Sequence, residues 1–377
     1  MINIAKRAKY FLVVNVDWFF LSHRLALALE MKRLGYEVYI LTKDTGRKDE
    51  IIKKGLNFID VDFERSGKNP LKELNLINTL GKLYKRYNPS IIHHVTIKPV
   101  VYGSIAAKKL RGAKVVNAVS GLGFNFIDGR NGLLQKMLRR LMKYAFSGKV
   151  NFIFQNPDDL DMYRQMGFLR KDNYRLIKGA GVDAAEFPYT PPQPNKEKLL
   201  VVTTARMLYD KGINELIEAA HMLREKLYGK VCFLLVGDLD KDNPAGIEKD
   251  ILVSRLVPGY IEWLGHKKDV REVLIPSDIV CLPSYREGLP KSLIEAMAVG
   301  RPIITTDAPG CRECVDHQVN GILVPVKSVK ELAAAIETLA GDDNMRIYMG
   351  KASRDKMVRE LSLEKVLKDT IAFYDAI

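Results

Sequence analysis

A chain of 377 residues, 47% hydrophobic and 28% charged, has room for two domains with a core each, at about 150 residues per domain. With 27 Gly, 16 Pro, no dominant residue and no internal repeat, it is excluded from the collagen-like, solenoid and disordered classes. The net charge of +14 lies in one half: residues 1–180 hold 33 Lys and Arg against 15 Asp and Glu, whereas 181–377 hold 26 against 30, so an anionic partner is expected on the first half.

In chain order, short β-branched runs read as strands at Tyr10–Val16, Val38–Thr42, Phe58–Asp62, Ile91–Val95, Lys114–Ala118 and Asn151–Phe154,. The apolar stretch Phe11–Leu21 is interrupted by Asn15 and Asp17 and falls short of the ~20 apolar residues of a membrane helix. Neither a span nor a signal peptide is therefore expected. Asn131–Val150 places Leu134, Met137, Leu138, Leu141, Met142 and Ala145 on one helical stripe, with Lys136, Arg139, Arg140 and Lys143 on the remaining face. That pattern suits a helix lying on an anionic membrane surface; the competing reading is an ordinary surface helix with its apolar side in the core. Four prolines in Phe187–Lys198 then preclude regular structure and mark a boundary,. A second series of strands follows at Leu199–Thr204, Val231–Val236, Tyr260–Leu264, Ile279–Pro283 and Pro302–Thr305. Buried strands joined through helices imply two parallel α/β sheets of right-handed β-α-β units, with ligands taken beyond the carboxyl ends of the strands, in a cleft between the two sheets. The four cysteines, Cys232, Cys281, Cys311 and Cys314, are too few for a disulfide framework, and Cys311/Cys314 lack the second pair of a zinc site,.

The loop after Ile279–Pro283 carries the most chemistry. It reads SYREGLPKSLIEAMAVG over 284–300; Pro290 suits the first turn of a helix and Gly300 its stop, so a helix is expected over about 290–299. Its N-terminus would offer the amides of Leu289, Lys291, Ser292 and Leu293 and the Lys291 side chain to a diphosphate. Glu287 and Glu295 would bracket that anion and hold hydroxyls on either side. The bland reading has Glu287 as a cap and Glu295 solvated. After Leu199–Thr204, the segment ARMLYDKG at 205–212 places Arg206 and Lys211 at the strand end, before a helix Ile213–Tyr228. Two cations there would neutralise a departing diphosphate without a metal, in keeping with a sequence that has no Asp-x-Asp or histidine cluster at ligand spacing.

Arg206 with Lys211-Gly212, Val-Gly-Asp at 236–238, Leu-Gly at 264–265, the Glu287/Glu295 pair around GLPKSLI, GRPIITTDAPGCRE at 300–313 and NGILVP at 320–325 resemble, in order and spacing, the retaining family 4 glycosyltransferases. DWFFLSHR at 17–24 resembles a bacterial subgroup acting on surface-polysaccharide and O-antigen intermediates. The resemblance covers nearly the whole chain. It implies the GT-B architecture: α/β, two Rossmann-like doubly wound parallel-sheet domains facing across a cleft. An acceptor domain would span 1–183, with a C-terminal crossover helix of about 360–377, and a nucleotide-sugar domain 184–359. It implies a nucleotide-diphosphate sugar as donor, UDP preferred, with no metal or other cofactor. Catalysis would rest on Arg206, Lys211 and Glu287. Glu295 would hold the ribose, Glu287 the donor sugar, and Gly237, Gly288, Leu289, Lys291, Ser292 and Leu293 the diphosphate, with His266 and Lys267 beside the base.

The chain departs from that pattern in two loops. The turn after Val16 is Asp17-Trp18-Phe19-Phe20, without the glycine-rich loop of many relatives, and Ser120 stands where many have a histidine. A serine without a partner is a poor base at neutral pH, so Ser120, Gly121 and Gly123 are expected as acceptor-side contacts, with the leaving phosphate assisting deprotonation. His94 is expected to face the acceptor and His93 the core. His23, near the start of a helix, is expected as a neutral acceptor-side group. The function that follows is transfer of a hexose or N-acetylhexosamine to a lipid-linked, polyprenyl-diphosphate saccharide at the inner face of the plasma membrane, with the protein cytoplasmic and peripheral. A sugar-nucleotide epimerase or a soluble-acceptor transferase on the same scaffold is the alternative. A nucleic-acid partner is not expected, since aromatic interleaving and a recognisable binding module are missing.

Overall fold

The computed structural model describes residues 8–63, 70–120, 133–241 and 243–377. Gly121 and Gly123, and the side chain of Leu134, lie outside the described residues. The chain divides into two units, Met1–Ala180 with Leu367–Ile377, and Gly181–Val366.

The first unit contains strands β1 (Lys9–Val16), β2 (Glu37–Lys43), β3 (Asn57–Asp60), β4 (Ile91–Val95), β5 (Lys114–Val119), β6 (Val150–Phe154) and β7 (Tyr174–Leu176). They form one sheet in the order β3-β2-β1-β4-β5-β6-β7, with every pairing parallel. The second unit holds β8 (Leu199–Thr204), β9 (Val231–Val236), β10 (Ile261–Trp263), β11 (Ile279–Leu282), β12 (Ile303–Thr306) and β13 (Gly321–Val324), ordered β10-β9-β8-β11-β12-β13 and likewise parallel. Strands such as Ile91–Val95 and Ile279–Leu282 are buried along their whole length, as strands covered by helices on both faces must be. In each sheet the winding reverses beside the first strand, between β1 and β4 and between β8 and β11. Such reversals leave a crevice at the carboxyl ends of the strands.

The strand patterns in the sequence fall on eleven of these elements and miss the two edge strands β7 and β13, which are only three and four residues long and show no period. The expected helix Ile213–Tyr228 is broken at Leu223 into Ile213–Met222 and Arg224–Leu227.

The C-terminal segment is tied to the first unit by polar groups. Tyr10 and Tyr374 share a hydrogen bond of 3.0 Å, Lys114 Nζ donates to the Tyr374 carbonyl at 2.7 Å, and the Tyr374 hydroxyl meets His93 Nδ1. Arg24, 6% exposed, lies beside this group. Among the described residues, no helix is long and apolar enough to cross a membrane.

Candidate active site

In the second unit, the loops that follow β8, β11 and β12 are stitched together at the carboxyl edge of the sheet. Thr203 Oγ1 donates to the Cys281 carbonyl and Thr305 Oγ1 to the Leu282 carbonyl, both at 2.6 Å. The Asp210 carbonyl accepts from Tyr285 N at 2.9 Å and Ser284 Oγ at 3.1 Å. Glu287 N donates to the Pro309 carbonyl at 2.9 Å, and Gly310, at φ 78, leaves no room for a Cβ against the Glu287 carbonyl oxygen. The same holds at Gly237, φ 145, where a Cβ would fall on the Ala205 carbonyl. Trp263 Nε1 donates to the Gly237 carbonyl at 2.8 Å and fixes that turn from β10.

This stitching brings together Lys211 and Glu287, 76 residues apart, with Nζ and Oε1 at 2.5 Å and side chains 17% and 14% exposed. A pair so shielded from solvent interacts more strongly than a surface pair. Arg206 is paired with Asp240. Asp210 sits in the field of Lys211, Glu287 and Arg206, and burial raises its pKa. The sequence does not single out Asp210, Asp240, Tyr285 or Glu215. Tyr285 donates its hydroxyl to Glu215 at 2.5 Å under the Lys327 ammonium, 4.9 Å from the ring, and thereby holds the loop that carries Glu287. Only the fold reveals that contact, because the partners lie on different strand-to-helix segments.

The expected helix runs Lys291–Ala298, with Pro290 as N-cap in an extended conformation rather than in the first turn. The Leu293 N–H bonds the Pro290 carbonyl at 3.1 Å, so Leu293 is removed from the amides expected at an anion. Lys291 and Ser292 hold the first two helical positions, and Gly288 and Leu289 are buried just before them. The Lys291 ammonium lies 3.1 Å from Glu295, whose side chain is 12% exposed. Burial raises the Glu295 pKa, and Lys291 opposes that rise. His266 stands 3.8 Å from Asp238, both well exposed, and Lys267 is half-buried beside it. Cys311 and Cys314 are buried rather than facing solvent, and burial pushes the Cys311 thiol up to about 12.

In the first unit several expectations are corrected. His94 is fully buried: its Nδ1 meets Asn117 Oδ1 and its Nε2 the Tyr84 hydroxyl, each at 2.9 Å, and burial lowers its pKa to about 4. Both nitrogens are engaged inside the core, so His94 is not an acceptor-side contact. His23 ends the helix Asp17–His23 instead of starting one, opposite to the expectation. Its ring stacks on Phe19 at 4.2 Å and Ser22 Oγ lies 2.7 Å from Nδ1. Ser120 is half-buried at the carboxyl end of β5. On the helix Leu133–Phe146, Met142, Ala145 and Phe146 are buried, while Lys136, Arg139, Arg140 and Lys143 are exposed. Met137, expected on the buried stripe, is 58% exposed among them, with Tyr144 at 57%. Met137 lies at the side of the stripe, which is centred on Leu138 and Met142.

Residues 190–356 match the family model of the group 1 glycosyl transferases, and residues 9–156 that of the glycosyl transferase 4-like proteins. The chain is 30% identical to the N,N'-diacetylbacillosaminyl-diphospho-undecaprenol alpha-1,3-N-acetylgalactosaminyltransferase of Campylobacter jejuni, over 90% of this chain and 93% of that one. It is 23% identical to the UDP-Gal:alpha-D-GlcNAc-diphosphoundecaprenol alpha-1,3-galactosyltransferase of Escherichia coli, over 88% and 86% of the two chains. In fold it is similar to Anabaena HepE, solved in complex with UDP-glucose: the TM-score is 0.78 at 18% identity, over 98% of this chain and all of that one.

Proposed function

The chain belongs to the group 1 glycosyl transferases, with the GT-B fold, and from that membership we propose that it moves a hexose or N-acetylhexosamine from a UDP-sugar to a lipid-linked saccharide, with retention of configuration and without a metal. The observation that carries the reading is the shielded Lys211–Glu287 pair at the carboxyl edge of the second sheet, with Glu295 and the start of the helix Lys291–Ala298 close by in sequence. The second unit takes the donor and the first the acceptor. Glu295 accepts from the ribose hydroxyls and Glu287 from the donor sugar. Lys211 and Arg206, with the amides of Gly288, Leu289, Lys291 and Ser292, hold the diphosphate. Gly237 lets the backbone approach the donor, with His266 and Lys267 beside the base. The bond from sugar C1 to the β-phosphate oxygen breaks, and a bond from C1 to an acceptor oxygen forms on the same face. The acceptor proton passes to the leaving phosphate oxygen. Charge grows on the diphosphate as it leaves, and fixed cations stabilise it most at that moment.

The acceptors in the names of the two relatives are undecaprenyl diphosphates, and the same class suits this chain. Lys136, Arg139, Arg140 and Lys143 meet the anionic lipid surface, and Met137 and Tyr144, exposed between them, enter the interface,. The protein is thus peripheral to the inner membrane face.

One set of incubations tests this. Wild-type protein in EDTA is given UDP-, GDP- or ADP-hexoses and N-acetylhexosamines, with GlcNAc-diphospho-undecaprenol in vesicles containing anionic lipid. Transfer is expected from UDP donors alone and undiminished by EDTA; dependence on added metal, or failure with every nucleotide sugar, contradicts the reading. In the same vesicles, Arg140→Ala with Lys143→Ala should lower binding about thirtyfold, at about 1 kcal/mol per basic residue near the surface. Equal binding of this variant and wild type would remove the membrane assignment.

A further inference from the structure

The first unit holds two polar groups that no hydrogen-bond partner satisfies among the described residues. β1 and β4 pair with Phe11 opposite Ile92 and Val13 opposite His94. Phe11, Val13 and Ile92 belong to one apolar cluster on one face of the sheet. Asn15 and Thr96 lie two residues beyond the last paired positions, Val13 and His94, at the carboxyl ends of neighbouring strands about 4.8 Å apart,. Asn15 Oδ1 and Thr96 Oγ1 are both buried without a hydrogen-bond partner. A buried polar atom left in that state costs about 1–3 kcal/mol, and here two occur at the carboxyl ends of neighbouring strands.

Thr96 adds a second oddity. Its φ is 70, in the left-handed region, which a β-branched side chain rarely adopts. Backbone strain of this kind persists only where the surroundings impose it and gathers at ligand sites. The Thr96 carbonyl accepts from Val100 N at 3.0 Å, so the turn into the helical segment Pro99–Gly103 locks the residue in place. Both features fall where the first sheet reverses its winding, between β1 and β4, the place where open α/β sheets take ligands.

An amide oxygen accepts, and a threonine hydroxyl both accepts and donates. The ligand group that satisfies the pair is a neutral donor, and a sugar hydroxyl fits that chemistry. Neither residue is a cation, so a phosphate is not the group they recognise. We propose that Asn15 and Thr96 form a subsite that binds a hydroxyl of the acceptor's saccharide. This rests on the transferase reading and names the part of the acceptor that the first unit grips.

The test uses the full chain with a UDP-sugar and GlcNAc-diphospho-undecaprenol, comparing wild type with Thr96→Val and Asn15→Leu. Thr96→Val exchanges the hydroxyl for a methyl of the same shape and keeps the backbone conformation. Each variant should lose about tenfold in kcat/KM for the acceptor, while the UDP dissociation constant holds and the melting temperature stays level or rises because a buried unsatisfied group is gone. A purely structural pair would instead lower the melting temperature and spare the acceptor. Monodeoxy analogues of the terminal sugar give a second reading: one of them should react poorly with wild type and lose nothing more in Thr96→Val. Unchanged acceptor kcat/KM in both variants overturns the subsite while leaving the transferase reading intact. Failure of wild type to glycosylate any lipid-linked saccharide overturns that reading and the subsite with it.

Discussion

Lys211→Ala is expected to lower kcat by about 10²–10³, the size of effect seen when one donor aimed at developing negative charge is removed. Lys211 lies in a shielded pair with Glu287, so the substitution has two consequences. It withdraws a cation from the leaving diphosphate, where charge is greatest in the transition state, and it leaves a carboxylate without its counter-charge. The first acts on kcat. The second weakens the ground-state hold on the sugar and acts on KM. Lys211→Arg keeps the charge and should restore part of kcat. Steady-state kinetics separates these effects, and a kcat for Lys211→Ala within about tenfold of wild type would mean that Lys211 only braces the loop.

Glu295→Ala should weaken UDP binding about a hundredfold, because two hydrogen bonds from ribose hydroxyls to a charged, largely buried acceptor are lost together. Titration calorimetry with UDP measures this directly. The same residue sets a pH dependence whose sign follows from its surroundings. Burial raises the Glu295 pKa despite Lys291, and only the ionised carboxylate accepts at both oxygens without donating. UDP affinity is therefore present above that raised pKa and is lost as pH falls through it, beginning above the ordinary glutamate value near about 4.3. Glu295→Gln should bind weakly at neutral pH and lose this dependence. An affinity in Glu295→Ala equal to that of wild type would displace the ribose from this helix.

The loops at the carboxyl edge of the second sheet were legible because glycine and proline punctuate them. Gly212, Gly237, Pro290 and Gly310 mark the turns at which loops leave the strands, and the charged residues between them are few. The ion pairs were not legible. Lys211 reads as a cation for the diphosphate in ARMLYDKG and Glu287 as a carboxylate for hydroxyls in SYREGLP, and only the adjacency of β8 and β11 brings them to 2.5 Å. The one-residue shift at Pro290, which removed Leu293 from the amides, is a boundary effect that periodicity does not resolve. The acceptor half was harder. His94 looked available because alternation gives two consecutive histidines opposite faces, yet both faces of a parallel sheet are covered, and its face belongs to Tyr84 and Asn117. His23 was misjudged because Arg24 separates two short helices, Asp17–His23 and Leu25–Arg33, where hydrophobic spacing suggests one. Met137 shows a similar limit: a broad apolar stripe does not say where its buried centre lies.

The central claim is that this chain makes a glycosidic bond on a lipid-linked saccharide with retention. The most direct measurement is the product of wild-type protein given a UDP-α-sugar and GlcNAc-diphospho-undecaprenol in EDTA, with the new anomeric centre read by NMR coupling. The account predicts a lipid-linked product carrying one added sugar in α configuration. A β-linked product would contradict retention, and release of free sugar with no lipid-linked product would contradict the assigned acceptor.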